Sequence, residues 1–217
     1  MTLDGAPLED ADAGVARKRA MRGEIRERRK VRAAGGPPPE MPAQVAERLA
    51  WWAMVRGAGT VAAYASYGTE PESYALLDAL REDSIRVLLP RWNPDDTLEW
   101  TPYVGRDGLV VGEHGIPEPE GPRYGPHALL GVDFVIVPAL AVDRDGHRLG
   151  QGRGCYDRAL TRLRDDVPIM ALLNDDELLP AGSIPAEPHD VRVTHVATPA
   201  LGLTAVGTTD ENANVSG

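Results

Sequence analysis

Cysteine is almost absent from this 217-residue chain, Cys155 being its one example. A lone thiol forms neither an intramolecular disulfide nor a multi-thiolate metal centre. A reducing, cytoplasmic setting is therefore expected. The five histidines (His114, His127, His147, His189 and His195) show no HxxxH spacing, so a metal site built on soft ligands is not expected. Long apolar runs are missing too. The strongest, Phe134–Leu140 and Ile169–Leu173, are far too short to span a bilayer. The opening stretch MTLDGAPLEDADAG is acidic and polar and does not read as a signal peptide. No membrane partner is expected.

Positive charge is outnumbered overall, 23 Lys and Arg against 33 Asp and Glu, and concentrated in one place. Residues Arg17 to Arg32 hold nine basic residues against Glu24 and Glu27, a local net of +7; the other 14 basic and 31 acidic residues leave −17 elsewhere. A net charge of −10 argues against a nucleic-acid binder, whose footprint is a basic domain. The basic stretch can still serve one anionic ligand locally.

The order of elements points to an α/β class, a single compact domain with a mostly parallel central sheet flanked by helices. Residues 1–14 are expected to be a disordered tail, 15–202 the α/β domain, and 203–217 a second disordered tail. A helix is expected over Val15 to Ala34, closed by Gly35-Gly36. Its apolar stripe is narrow, chiefly Met21 and Ile25, while Lys18, Arg22, Arg26 and Arg29 share one face. After PPPE, a second helix is expected from Pro42 to Arg56, with Val45, Leu49, Trp52 and either Met54 or Val55 inward. Strands are expected at Thr60–Ser66, Ile85–Pro90, Leu98–Tyr103, Leu109–Val111, Phe134–Pro138, Pro168–Leu173 and Val193–Thr198. Helices are expected at Tyr74–Arg81 and Tyr156–Arg164, and an extended proline-rich loop at His114–Pro122.

The segment DRDGHRLGQGRGCYDR, Asp143 to Arg158, carries the clearest chemistry. Gly146, Gly150, Gly152 and Gly154 follow a buried strand and precede a helix. Glycines there let backbone N–H groups approach an anion with no Cβ in the way, and a helix N-terminus adds partial positive charge. Arg148 and Arg153 supply full charges that can grip a phosphate bidentately. Asp157, in the first helical turn, suits either Mg²⁺ beside a nucleotide or simple stabilisation of the helix terminus. Lys18 and Arg22 either clasp phosphates or form a solvated face. Glu70 and Glu72 flank Pro71 in a loop directly after a strand, where open α/β sheets bind ligands; a helix-terminal role suits Glu72 better. Asp190 is a further loop carboxylate. Tyr156 either stacks on a planar ligand or packs its helix.

Together these segments resemble the 5-formyltetrahydrofolate cyclo-ligase (methenyltetrahydrofolate synthetase) family. VDFVIVPALAVDRDGHRLGQGRGCYDR is similar to that family's VPGLAFD–G–RLGxGxGYYDR block. The Lys18-x-x-x-Arg22 helix, YASYGTEPES, Leu88–Trp92, the Gly115–Pro119 loop and PHDVRVTHVATP add to it, over roughly Ala16 to Pro199. The chain departs at Cys155, where the family has the first of two tyrosines, and at Ala139 and Val142.

The resemblance implies ATP-dependent closure of 5-formyltetrahydrofolate to 5,10-methenyltetrahydrofolate, with ATP and Mg²⁺ as cofactors and a reduced formyl-folate as the small-molecule partner. Lys18, Arg22 and Arg153 would be catalytic. Lys18 and Arg22 would contact ATP together with Arg148, Leu149, Gly150, Gln151, Gly152, Arg153, Gly154, Cys155 and Tyr156. Ala65, Glu70 and Tyr156 would bind the folate, and Asp157 and Asp190 the Mg²⁺. Two other readings stay open: a phosphosugar isomerase or CoA-transferase-like enzyme, and a non-catalytic folate- or nucleotide-binding relative.

Overall fold

Strand residues alternate between the two faces of a sheet, and two apolar layers result. Val61, Val87, Leu89, Phe134, Ile136, Met170 and Leu172 face one way. Ala62, Leu88, Val135, Val137, Ala171 and Val196 face the other. The computed structural model describes residues 8–36, 43–112, 115–187 and 190–207. Its helices are α1 (Leu8–Ala34), α2 (Ala43–Val55), α3 (Tyr74–Glu82) and α4 (Cys155–Leu160). The strands of the main sheet are β1 (Thr60–Ala62), β2 (Arg86–Trp92), β3 (Leu98–Pro102), β6 (Phe134–Val137), β9 (Ile169–Leu172), β11 (His195–Thr198) and β12 (Gly202–Ala205). Smaller pairings are made by β4 (Leu109–Val111) with β5 (Pro117–Pro119), and by β7 (Ala141–Asp143) with β8 (Arg148–Leu149) and β10 (Leu178–Leu179).

The seven-stranded sheet runs β12-β11-β9-β6-β1-β2-β3. Every pairing from β11 to β2 is parallel, and only the edge strands β3 and β12 are antiparallel. The expected α/β architecture is thus present. Helices α2 and α3 cover one face; α4 and the segment around Leu129 and Val132 cover the other. β1 leads into β2 on one side, whereas its neighbour β6 leads into β9 on the other. The chain therefore reverses its winding between β1 and β6.

Several expectations change. Helix α1 begins at Leu8, so residues 8–14 are helical rather than a tail, and Gly14 sits against Pro185. Residues 203–206 are not a tail either. Leu203, Thr204 and Ala205 pair with β11, and Val206 is buried; a four-residue edge strand is too short for its alternation to stand out in sequence. On α2, Ala46, Ala50 and Ala53 are buried with Val45 and Leu49, while Met54 and Val55 are exposed. Small alanines let that helix lie close on the sheet. The remainder of both expected tails, residues 1–7 and 208–217, lies outside the described residues, as do the PPPE break, Pro42, His114 and His189.

Candidate active site

Ligands in open α/β sheets bind beyond the carboxyl ends of the strands where the winding reverses. A cavity of about 610 Å³ lies there. Tyr64 and Ala65 follow β1, Pro90 belongs to β2, Pro138 follows β6, and all four line it.

Helix α1 forms one wall through polar contacts. Lys18 donates to Glu187 Oε1 at 2.8 Å and Asp190 Oδ2 at 2.7 Å. Arg22 Nε donates to the Gly150 carbonyl at 2.9 Å. Arg26 donates to the Gln151 carbonyl at 3.1 Å and to its side-chain oxygen at 2.8 Å. Arg29 is 2 % exposed and forks onto Glu177, with Nε–Oε1 at 2.7 Å and a terminal nitrogen at 2.8 Å from both Oε2 and the Ala139 carbonyl. The solvated reading of this face is therefore wrong for Lys18 and Arg29, which are buried, and for half-buried Arg22, while Arg26 stays exposed but is held by Gln151. Apolar support is small, Ile25 and Met21 against Leu140, Leu149 and Ile184. Burial opposes the charge of Lys18, but Asp190 and Glu187 outweigh it and hold its pKa above the ordinary lysine value. Burial and the neighbouring Arg26 instead lower that of Arg22.

The glycine loop forms the second wall. Gly152 has φ +104°, and a Cβ there would meet the Arg22 guanidinium carbon at 3.4 Å. A side chain would strain the backbone and crowd the cation. Arg148 is held rigidly by the Pro138 carbonyl at 3.1 Å and by Asp157 at 2.5 Å. Arg153 reaches over the Trp92 ring, 5.7 Å from its centre. Cys155 and Tyr156 are buried at the base, and burial raises the pKa of both hydroxyl and thiol, so neither is poised to ionise.

Glu70 also lines the cavity. Desolvation by the surrounding wall raises its pKa to about 7, against the backbone N–H of Tyr67 and the charge of Arg29, which favour the anion. The Tyr67 N–H is 3.3 Å away. Glu72 instead accepts from the Tyr74 N–H at 2.8 Å, the helix-terminal role.

Lys18, Arg22, Ala65, Glu70, Arg148, Gly150, Gln151, Gly152, Arg153, Gly154, Cys155, Tyr156, Asp157 and Asp190 all line this one cavity. Leu149 does not; its side chain is buried in the small apolar cluster beneath α1. Strand β8 alternates, so Arg148 and Gly150 face the cavity and Leu149 faces away. Sequence reading missed Tyr64, Trp92 and Arg26 as lining residues. Arg26 already lies on the Lys18–Arg22 face by its spacing, although the resemblance gives it no role. Tyr64 and Trp92 carry no local mark, because only the packing of β1 and β2 points them there.

Fold and cavity define an α/β protein with a cationic cleft at the winding reversal of a mainly parallel sheet. The chain matches the model of the 5-formyltetrahydrofolate cyclo-ligase family over residues 15–199 and belongs to that family of ligases. It is 47% identical over 153 residues to the 5-formyltetrahydrofolate cyclo-ligase of Mycolicibacterium smegmatis, covering 68% of this chain and 77% of that one. It is 31% identical over 163 residues to the enzyme of that name from Escherichia coli, covering 74% and 88%. The NMR structure of Aquifex aeolicus 5,10-methenyltetrahydrofolate synthetase superposes with a TM-score of 0.66 at 21% identity, covering 92% of this chain and 99% of that chain. At that identity the likeness speaks to fold alone. Family membership sets aside the phosphosugar isomerase and CoA-transferase-like reading.

Proposed function

We propose that this chain closes 5-formyltetrahydrofolate to 5,10-methenyltetrahydrofolate at the expense of ATP, releasing ADP and phosphate. One observation carries the reading: a single cavity at the winding reversal brings four cations, Lys18, Arg22 and Arg26 of α1 and Arg153 of the glycine loop, together with the Glu70 carboxylate. The cations suit phosphates, and Glu70 suits an amino-heterocycle that donates hydrogen bonds to a carboxylate.

The formyl oxygen is a poor leaving group. In this scheme it attacks the γ-phosphorus of ATP and ADP departs, leaving an iminophosphate. The neighbouring nitrogen then attacks the formyl carbon, loses its proton and expels phosphate. Little covalent work falls to the protein, so positioning and charge neutralisation dominate. Lys18, Arg22 and Arg153 would balance the transferring phosphoryl group. Arg148, clamped between Pro138 and Asp157, would keep the loop Gly150–Gly154 in shape. Tyr156 and Ala65 would flank the folate beside Glu70.

The donor set fits Mg²⁺, because Asp157 and Asp190 both face the cavity that would hold the phosphates, and Mg²⁺ is commonly bound by one or two carboxylates plus phosphate oxygens. Bound there, it would neutralise charge on those oxygens.

Protein mixed with Mg-ATP and 5-formyltetrahydrofolate should generate the near-ultraviolet absorbance of the methenyl product. No ATP-dependent rise would overturn the proposal and favour a relative that only binds.

A further inference from the structure

One cluster of donor side chains lies outside the cavity and takes no part in the chemistry above. Asp143 ends β7, His147 immediately precedes β8, and Asp145 sits in the turn between them. One ligating atom from each falls within 4.8 Å of the others. Asp143 is fully buried, and its carboxylate accepts from the N–H groups of Asp145 at 3.1 Å, His147 at 3.0 Å and Ile184 at 3.1 Å. Asp145 accepts from the Gly182 N–H at 2.7 Å.

His147 marks the cluster as more than a turn. It is 8 % exposed, and neither ring nitrogen has a hydrogen-bond partner among the described residues. Its Nδ1 faces Asp143 Oδ1 at 3.4 Å. A buried polar group without a partner costs about 1–3 kcal/mol, so the fold carries an imidazole here at a penalty that a ligand would remove.

We propose that Asp143, Asp145 and His147 form a structural site for a first-row divalent cation of the zinc or manganese class. A carboxylate offers about four lone-pair positions, so Asp143 keeps one and Asp145 more. Two carboxylates and a neutral imidazole balance a doubly charged ion. The mixed nitrogen and oxygen set favours such a metal over Mg²⁺ or Ca²⁺, which prefer oxygen alone. Half-exposed Asp145 opens the site to solvent, and water completes the coordination. The backbone donors on both carboxylates fix their orientation, as outer partners do in metal sites. None of the three lines the cavity. The ion would instead tie the hairpin that leads into Gly150–Gly154 to the segment running from Gly182 to Glu187 and Asp190, bracing two cavity walls from behind.

The test uses full-length, metal-stripped protein with no nucleotide present. Zn²⁺ and Mn²⁺ are titrated calorimetrically, and thermal unfolding is followed with each. One equivalent of either ion should bind, raising Tm by about 5 °C or more at a hundredfold excess over Kd. His147→Gln and, separately, Asp145→Asn should abolish this, while Asp157→Asn retains it. Co²⁺ in the unaltered protein should give visible bands of a nitrogen-ligated ion, a readout that needs no variant. Failure of both ions to bind at millimolar concentration overturns the proposal. So does binding that survives His147→Gln, or that is lost in Asp157→Asn.

Discussion

Lys18 Nζ lies 2.7 Å from Asp190 Oδ2, across 172 residues of chain. The contact staples the first helix to a late loop and sets a cation in the lining of the cavity. Removing one preorganised charge of this kind costs about 10²–10³ in kcat. Lys18→Ala should show a loss of that order, measured as methenyl product formed per second, with the fold intact by circular dichroism. Turnover within threefold of the unaltered protein would remove Lys18 from the machinery.

Arg29 and Glu177 are both about 1 % exposed at the side chain. Truncating one partner of a buried pair strands the other charge, at a cost of about 3–5 kcal/mol. Arg29→Ala should lower urea-unfolding stability by that amount. Arg29→Met combined with Glu177→Leu should recover much of it, because no charge is then left buried. Equal losses in the single and double variants would contradict this account.

Glu70 titrates near 7 when folded, above the ordinary value of 4.5, because its cavity wall desolvates the anion. Between those limits the folded state holds the proton more tightly than the unfolded state. Stability is therefore full below about pH 4.5 and falls as pH rises through 7, by at most about 3 kcal/mol at 1.36 kcal/mol per unit. Glu70→Gln should flatten this part of the stability profile and weaken folate binding together. An unchanged slope would show that Glu70 titrates normally.

At Gly152, alanine would have to adopt φ +104° and press on the Arg22 guanidinium. Backbone strain of this kind costs about 1–3 kcal/mol. Gly152→Ala should raise the KM for ATP more than the KM for the folate. The reverse ordering would place the loop against the wrong substrate.

Cys155 is buried and its thiol is held above the ordinary pKa, chiefly by that burial. The proposed scheme needs no thiolate, so Cys155→Ala should keep at least partial turnover. Abolished turnover in a folded Cys155→Ala protein would sink the scheme.

How much was legible beforehand differs by element. The alternation of buried strands with helices, the loop from Gly146 to Gly154 and the position of Glu70 after β1 are local patterns, written in consecutive residues, and the family follows from them. Helix α1 is different. Its cationic face has one spacing whether it meets water or Glu187, Asp190 and Glu177. Those carboxylates lie about 150 to 170 positions later, so only the folded chain could choose between the two. The same holds for Leu149, turned away by strand pleating, for β12, defined only by its partner β11, and for His147, whose missing partner becomes apparent only once the hairpin has closed around it. Sequence by itself determined most of the elements and the chemistry of the glycine loop. Tertiary structure decided which charges are neutralised, because a charge's partner is set by distance in space and not along the chain.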